Sequence, residues 1–422
     1  MKNKIVVGLR QASIFTLSKS TVLISPFLAA ALLSPTDYGQ VEWWLAIAMA
    51  LGPLLGFGAS GVLSYGSLGG RARHYVDAAA LYVISASAFT VVSSLLLFAI
   101  NTNSFDLDVG VPILMCCCVM QQVAISSRLK ALNRGAWASL VESGVYISLL
   151  VALIVSYFSG AFSLALFFAL IVVIVVGFFI LLHVAVDLGR LRNSVLKVPG
   201  FFKLGCQYLI GSSIMAVFMA SPRIYLGWSD SSLAVAEFSL IFRWFSISII
   251  MHQFINTIFF RFIYTSESTK RAIIISFVIC AVGVLCFFIL TLVSFKPFDF
   301  LGVPYPDADF LSMWAFGLIM VLWAATASLE GVLLRLDSTI TQIFCVIVGM
   351  VVASSSLTLC YYFGLVELIW ITWAWLIGFF SMVSLQLYIA SVKGQRVLPI
   401  VVMVSVFLAI YVIGVMVHDW FF

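Results

Sequence analysis

Charge is what this chain has least of. Of its 422 residues only 9% are Asp, Glu, Lys or Arg, and only four are histidine. A water-soluble domain carries roughly a quarter charged residues, so composition alone excludes one. Disorder is excluded as well, because disordered chains are poor in apolar residues and 63% of these are apolar. The eight cysteines lie in apolar stretches and make no C-x-x-C pair, so neither a disulfide framework nor a zinc site is expected. Cys116-Cys117-Cys118 reads as small apolar helix filler. A Walker-type phosphate loop is absent, and ATP hydrolysis is therefore not encoded here. Almost no polar mass exists to pair a nucleophile with a base, which disfavours an enzyme.

What the chain has is apolar runs of membrane-spanning length. They are continuous, which speaks against the alternating pattern of a transmembrane β-barrel. A bilayer core of about 30 Å takes about 20 helical residues. Thirteen such runs occur, near 11–33, 41–65, 77–100, 111–127, 139–158, 162–182, 205–226, 232–259, 272–294, 311–332, 341–362, 367–390 and 398–418. The expectation is an all-α polytopic membrane protein.

Eighteen of the 22 basic residues fall on one side if the N-terminus is cytoplasmic, and only Lys296 falls in an outer loop. That bias sets the orientation, with the N-terminus inside and the C-terminus outside. Ala29-Ala30-Ala31 resembles a signal-peptide cleavage site, but Lys19 interrupts the apolar region before it, so the segment is expected to stay. The longest connection, about 183–204, separates six segments from the rest. Sliding the chain by 195 residues brings Ser34 onto Ser229, Glu42 onto Glu237, Trp43 onto Phe238 and Leu45 onto Leu240. The pattern predicts two six-helix lobes around a central cavity. They span 1–183 and 205–391, joined by a cytoplasmic linker 184–204 and followed by an appended helix in 392–422.

Ionisable residues inside apolar runs are the functional candidates, because each costs several kcal/mol unless it meets a partner or a polar cavity. The mid-membrane ones are mainly basic and lack obvious acidic partners. Lys19 lies among Thr16, Ser18, Ser20 and Thr21 and is expected to face a wet cavity, against the alternative of snorkelling. Arg243 shares a helical stripe with Ser239, Ser246, Gln253 and Thr257, which suits a cavity lining. Arg223 follows Pro222, which is expected to break the helix; substrate contact at the outer exit and snorkelling fit it equally.

The acidic candidates are fewer. Glu142 fits a capping box, Ser139-Leu140-Val141-Glu142, better than a proton site. Ser34-Pro35-Thr36-Asp37 likewise reads as a helix start capped by Ser34. Glu330, on a face with Trp323 and Thr326, is a candidate for ion coupling or for pairing with Arg335, and Glu142 and Asp37 remain weaker coupling candidates. Gly52, Gly56 and Ser60 form a small-residue face for close helix approach, and Trp43 and Trp44 read as interface anchors.

Leu33-Ser34-Pro35-Thr36-Asp37-Tyr38-Gly39 follows the first helix and precedes a glycine-rich second one. Arg128-Leu129-Lys130-Ala131-Leu132-Asn133-Arg134 makes a basic loop after the fourth. In these features and in layout, about residues 5–390 resemble the Wzx-type O-antigen and polysaccharide flippases. Those belong to the multidrug/oligosaccharidyl-lipid/polysaccharide exporter superfamily. The thirteenth segment departs from twelve-helix members.

The resemblance implies a flippase of the bacterial inner membrane. Its substrate would be an undecaprenyl-pyrophosphate-linked oligosaccharide, moved to the outer leaflet by alternating access coupled to an ion gradient. A polysaccharide polymerase and a chain-length regulator are further candidate partners; no nucleic acid, cofactor or metal is expected. Lys19 and Arg243 would take the pyrophosphate, because buried cations suit its anionic oxygens. The alternatives are a multidrug antiporter of the same superfamily and, less favoured, a membrane polysaccharide polymerase or glycosyltransferase.

Overall fold

A computed structural model describes residues 2–68, 71–100, 107–160, 163–185, 195–229, 231–247, 310–335, 339–365 and 367–394, with a few isolated positions besides. All regular structure among them is helical. The apolar segment 272–294 and nearly all of 398–418 lie outside the described residues. Among the described residues six helices are long and apolar enough to cross a membrane, or up to nine if each of three bent pairs counts as one span. The chain is a multi-pass helical membrane protein, and its contacts divide it into two units that meet between Ile224 and Tyr225 in sequence.

The first unit holds α1 (Lys2–Leu32), α2 (Pro35–Leu55), α3 (Ala59–Leu68), a short 3-10 turn at Arg71–Tyr75, α4 (Val76–Ile100), α5 (Leu107–Ala131), α6 (Gly135–Glu142), α7 (Gly144–Ser159), α8 (Leu164–Ala185) and most of α9 (Val198–Trp228). Its centre is α5, which packs on α2, α3, α4, α6 and α8. Within the α5 span 78% is buried, against 22% of the α8 span. The triple cysteine sits in this central helix, Cys117 and Cys118 fully buried, as filler should. Large apolar side chains such as Phe89 and Phe158 point outward instead. Such exposure would be costly in water and suits acyl chains.

Three spans expected to be straight are bent. Between α2 and α3 the axis turns 58°, where Phe57 and Gly58 both take positive φ. Between α6 and α7 it turns 52° at Ser143. Ser139 is therefore inside α6 and Glu142 ends it, so the capping box expected there does not form. The Ser34 cap does form: the Asp37 amide donates to Ser34 Oγ at 3.1 Å, and that hydroxyl donates to the Asp37 carboxylate at 2.6 Å. Pro222 lies inside α9, which bends by 50° between Leu209 and Ser213 and not at the proline. Trp44 is fully buried instead of anchoring at an interface. The expected close approach is present at Gly52, where a Cβ would fall 2.7 Å from Val119 of α5.

The second unit contains α10 (Ser232–Ser246), α11 (Phe310–Arg335), α12 (Thr339–Tyr362) and α13 (Leu368–Val392). α13 packs on α11 and α12, and α10 on α11. An aromatic cluster joins three of these helices: Phe238 of α10 meets Phe316 of α11 at 4.8 Å and Trp375 of α13 at 5.7 Å between centroids. Aromatic pairs at such distances add about 0.5–1.5 kcal/mol each beyond area burial. α10 begins at Ser231, whose hydroxyl accepts from the Ala234 amide, two residues later than the internal repeat would place it.

Candidate functional site: buried charge clusters within the helices

In the first unit, α1 docks onto the break between α6 and α7 through two adjacent residues. Ser18 Oγ donates to the Ser139 carbonyl at 2.5 Å and reaches Ser143 Oγ at 3.3 Å. The Ser139 carbonyl already accepts from the Ser143 amide at 3.2 Å, and the Ser18 hydroxyl fills its second lone pair. The next residue, Lys19, places its ammonium 3.7 Å from the Glu142 carboxylate. Lys130, in the last turn of α5, holds the same carboxylate at 2.5 Å.

The cluster therefore carries two ammonium groups for one carboxylate, an excess of one positive charge. It is not sealed: Lys19, Lys130 and Glu142 side chains keep 12%, 23% and 25% of their surface. Lys19 lies about 14 Å along α1 from Arg10 at 1.5 Å per residue, well inside its apolar run, whereas Glu142 is three residues into the run 139–158 and Lys130 is in the last turn of α5. The Phe15 ring lies 5.7 Å below the Lys19 ammonium and gives it a cation–π contact.

A second cluster in the same unit was not foreseen. Glu42 of α2, fully buried, accepts from Arg223 Nη1 of α9 at 3.0 Å. The Tyr38 hydroxyl, one turn earlier in α2, donates to the other carboxylate oxygen at 3.4 Å. Lys19 and Arg223 thus both have acidic partners, contrary to the expectation that the buried cations go unmatched. The available signal was Glu42 itself, an acid inside an apolar run, which demands a partner.

In the second unit Arg243 is 6% exposed and Ser239 fully buried on the same α10 stripe. Ser246 Oγ donates to the Arg243 carbonyl at 2.7 Å, while Gln253 and Thr257 fall outside the described residues. Gln342 of α12 accepts from the Gln386 amide of α13 at 2.9 Å, and both are buried. Glu330 is half-buried on α11 beside the fully buried Thr326. Asp37 is exposed and engaged in the α2 cap. Among the described residues no three His, Cys, Asp or Glu side chains gather as metal ligands would.

No family model and no curated protein matches the chain. Among solved structures it is similar to the eukaryotic MATE transporter AtDTX14. The identity is 12% and the TM-score 0.44, over 94% of this chain and 97% of that one.

Proposed function

We propose that this protein is a membrane transporter that moves a lipid-linked oligosaccharide, carried on a polyprenyl pyrophosphate, from the inner to the outer leaflet by alternating access. The observation that carries the reading is the Lys19–Glu142–Lys130 cluster. It sets a partly accessible cationic excess around Glu142, with Lys19 well inside α1 and Lys130 in the last turn of α5. An ionisable group at the depth of Lys19 is a functional candidate by default. An anionic headgroup would replace part of what Glu142 supplies, using charge-assisted hydrogen bonds to the two ammonium groups. Arg243 is the corresponding cationic candidate of the second unit, with Ser239 and Ser246 beside it. Arg223, tied to Glu42, is better suited to holding α2 on α9 than to meeting substrate directly. Ion coupling falls to Glu142, already shared between two bases, and to Glu330.

The test is the amount and leaflet of lipid-linked repeat units in cells lacking the protein. Accumulation on the cytoplasmic leaflet, with surface polymer lost, is the expected result. Failure to make the lipid-linked unit at all would overturn it in favour of an enzyme.

A second reading, a cation or drug antiporter, has one observation in its favour: Glu42 and Glu142 are carboxylates within apolar helices. Normal repeat units and surface polymer, together with lost drug tolerance, would select it.

A further inference from the structure

The first unit has a groove of about 800 Å³ bounded by α5, α6, α7 and α8, lined by Leu140, Val141 and Gly144 but not by Glu142 between them. That volume matches a small-molecule site. Its lining is apolar, from Ile125 and Leu129 to Phe178, except at one end, where Arg128 and Arg134 both border it and Trp137 stands beside them. Arg134 and Trp137 are exposed. The Arg128 Nη1 atom is buried and has no hydrogen-bond partner among the described residues. An unmatched guanidinium nitrogen is costly, and an anion is what would satisfy it. Arg134 also occupies the cap position of α6 without offering a side-chain acceptor, which leaves that helix start open to a further anionic oxygen. Along the apolar part, Gly177 of α8 has nothing within 4 Å of where a Cβ would stand, so the groove is open there instead of filled by its own helix.

A greasy trough with paired guanidinium groups and an indole at one end has the polarity of an amphiphile lying along the bilayer normal. We infer that this groove binds an anionic phospholipid of the cytoplasmic leaflet, its phosphate on Arg128 and Arg134 and an acyl chain running past Gly177. The site is separate from the cluster proposed to take substrate, and the inference stands whether or not that reading of function holds. It requires only that the protein sits in a membrane with this basic end toward the anionic leaflet. Bound there, the lipid wedges α8 against the bent α6–α7 span that presents Glu142.

The experiment uses the full chain, purified in a neutral detergent. Native mass spectrometry and thermal melting are followed with added dioleoyl-phosphatidylglycerol, dioleoyl-phosphatidylcholine or inorganic phosphate. The expected result is one retained phosphatidylglycerol that raises the melting temperature, with no comparable effect of the other two. The double variant R128Q/R134Q is expected to weaken it about thirtyfold, from two basic contacts at a lipid surface. G177L, which fills the groove while adding helix propensity, is expected to abolish retention yet keep the melting temperature of the lipid-free protein. Equal binding by both variants would overturn the inference. So would equal stabilisation by phosphatidylcholine, or by phosphate alone. Displacement of phosphatidylglycerol by equimolar undecaprenyl phosphate would overturn it in favour of a polyprenyl site.

Discussion

Arg223 Nη1 donates to Glu42 Oε2 at 3.0 Å, so two charges 181 residues apart in sequence neutralise one another inside the first unit. Both side chains are almost wholly withdrawn from the surface, at 5% and 0% exposure. Removing one partner strands the other, at about 3–5 kcal/mol, whereas replacing both with apolar groups of similar volume is often neutral. Glu42→Met and Arg223→Met are each expected to lower the melting temperature of the purified protein sharply. Glu42→Met with Arg223→Met is expected to recover most of it. A double variant as unstable as the sum of the singles would show that the two residues act independently.

The Lys19–Glu142–Lys130 cluster predicts an order of effects. Glu142→Gln leaves two ammonium groups facing each other without a counter-charge and should destabilise most. Lys130→Ala removes the 2.5 Å contact and should come second. Lys19→Ala removes only the 3.7 Å contact and leaves Glu142 neutralised by Lys130, while also removing a mostly buried charge that is itself costly in an apolar run. Its melting temperature should stay nearer that of the wild type than the other two, while translocation of the proposed lipid-linked substrate falls by tenfold or more. Melting and leaflet assays on the same three variants check this. If Lys19→Ala melts as early as Glu142→Gln, its role is structural.

The helices were legible because twenty apolar residues in a row have few other physical solutions. The Ser34 cap was legible because it is local, with donor and acceptor three residues apart. The breaks were hidden for the same reason the spans were visible. Phe57-Gly58 and Ser143-Gly144 are as apolar or small as their surroundings, so a window over composition passes across them. Proline misled in the other direction at Pro222, which was expected to break its helix; like Pro26, Pro53 and Pro112 in their spans it lies within one, where neighbouring groups can satisfy the freed carbonyls. Partners of buried charges were least legible. Nothing near Lys19 points to Glu142, and Glu142 happened to fit a local capping pattern that explained it too easily.

In the second unit, the buried amide pair of Gln342 and Gln386 offers a test of packing without charge. Gln386→Leu leaves the Gln342 carbonyl oxygen without its donor, a loss of about 1–3 kcal/mol. Adding Gln342→Leu removes the stranded group and should return most of the stability. Thermal melting of the single and double variants in detergent reads this directly, and an additive loss would mean that the amides do not depend on each other.

The bend between α2 and α3 is held by a backbone approach that only glycine allows. Gly58 has φ +71°, and a Cβ there would lie 2.0 Å from the Gly205 carbonyl oxygen of α9. Gly160, at the end of α7, has a similar φ of +79° but nothing within 4 Å. The two positions share the left-handed backbone cost of about 1–2 kcal/mol for alanine and differ only in the clash. Gly160→Ala should therefore fold and elute as a single species, with a modest fall in melting temperature. Gly58→Ala must in addition push α9 away from α3, and overpacking of that kind adds roughly 1–3 kcal/mol. It also separates Gly61 from Tyr208, whose ring carbon lies 2.4 Å from the position a Cβ would take. Size-exclusion chromatography and melting of both variants decide the matter. Equal tolerance at the two sites would mean that α3 and α9 are not clamped at the bend, and that the turn at Phe57-Gly58 is set by local backbone preference alone.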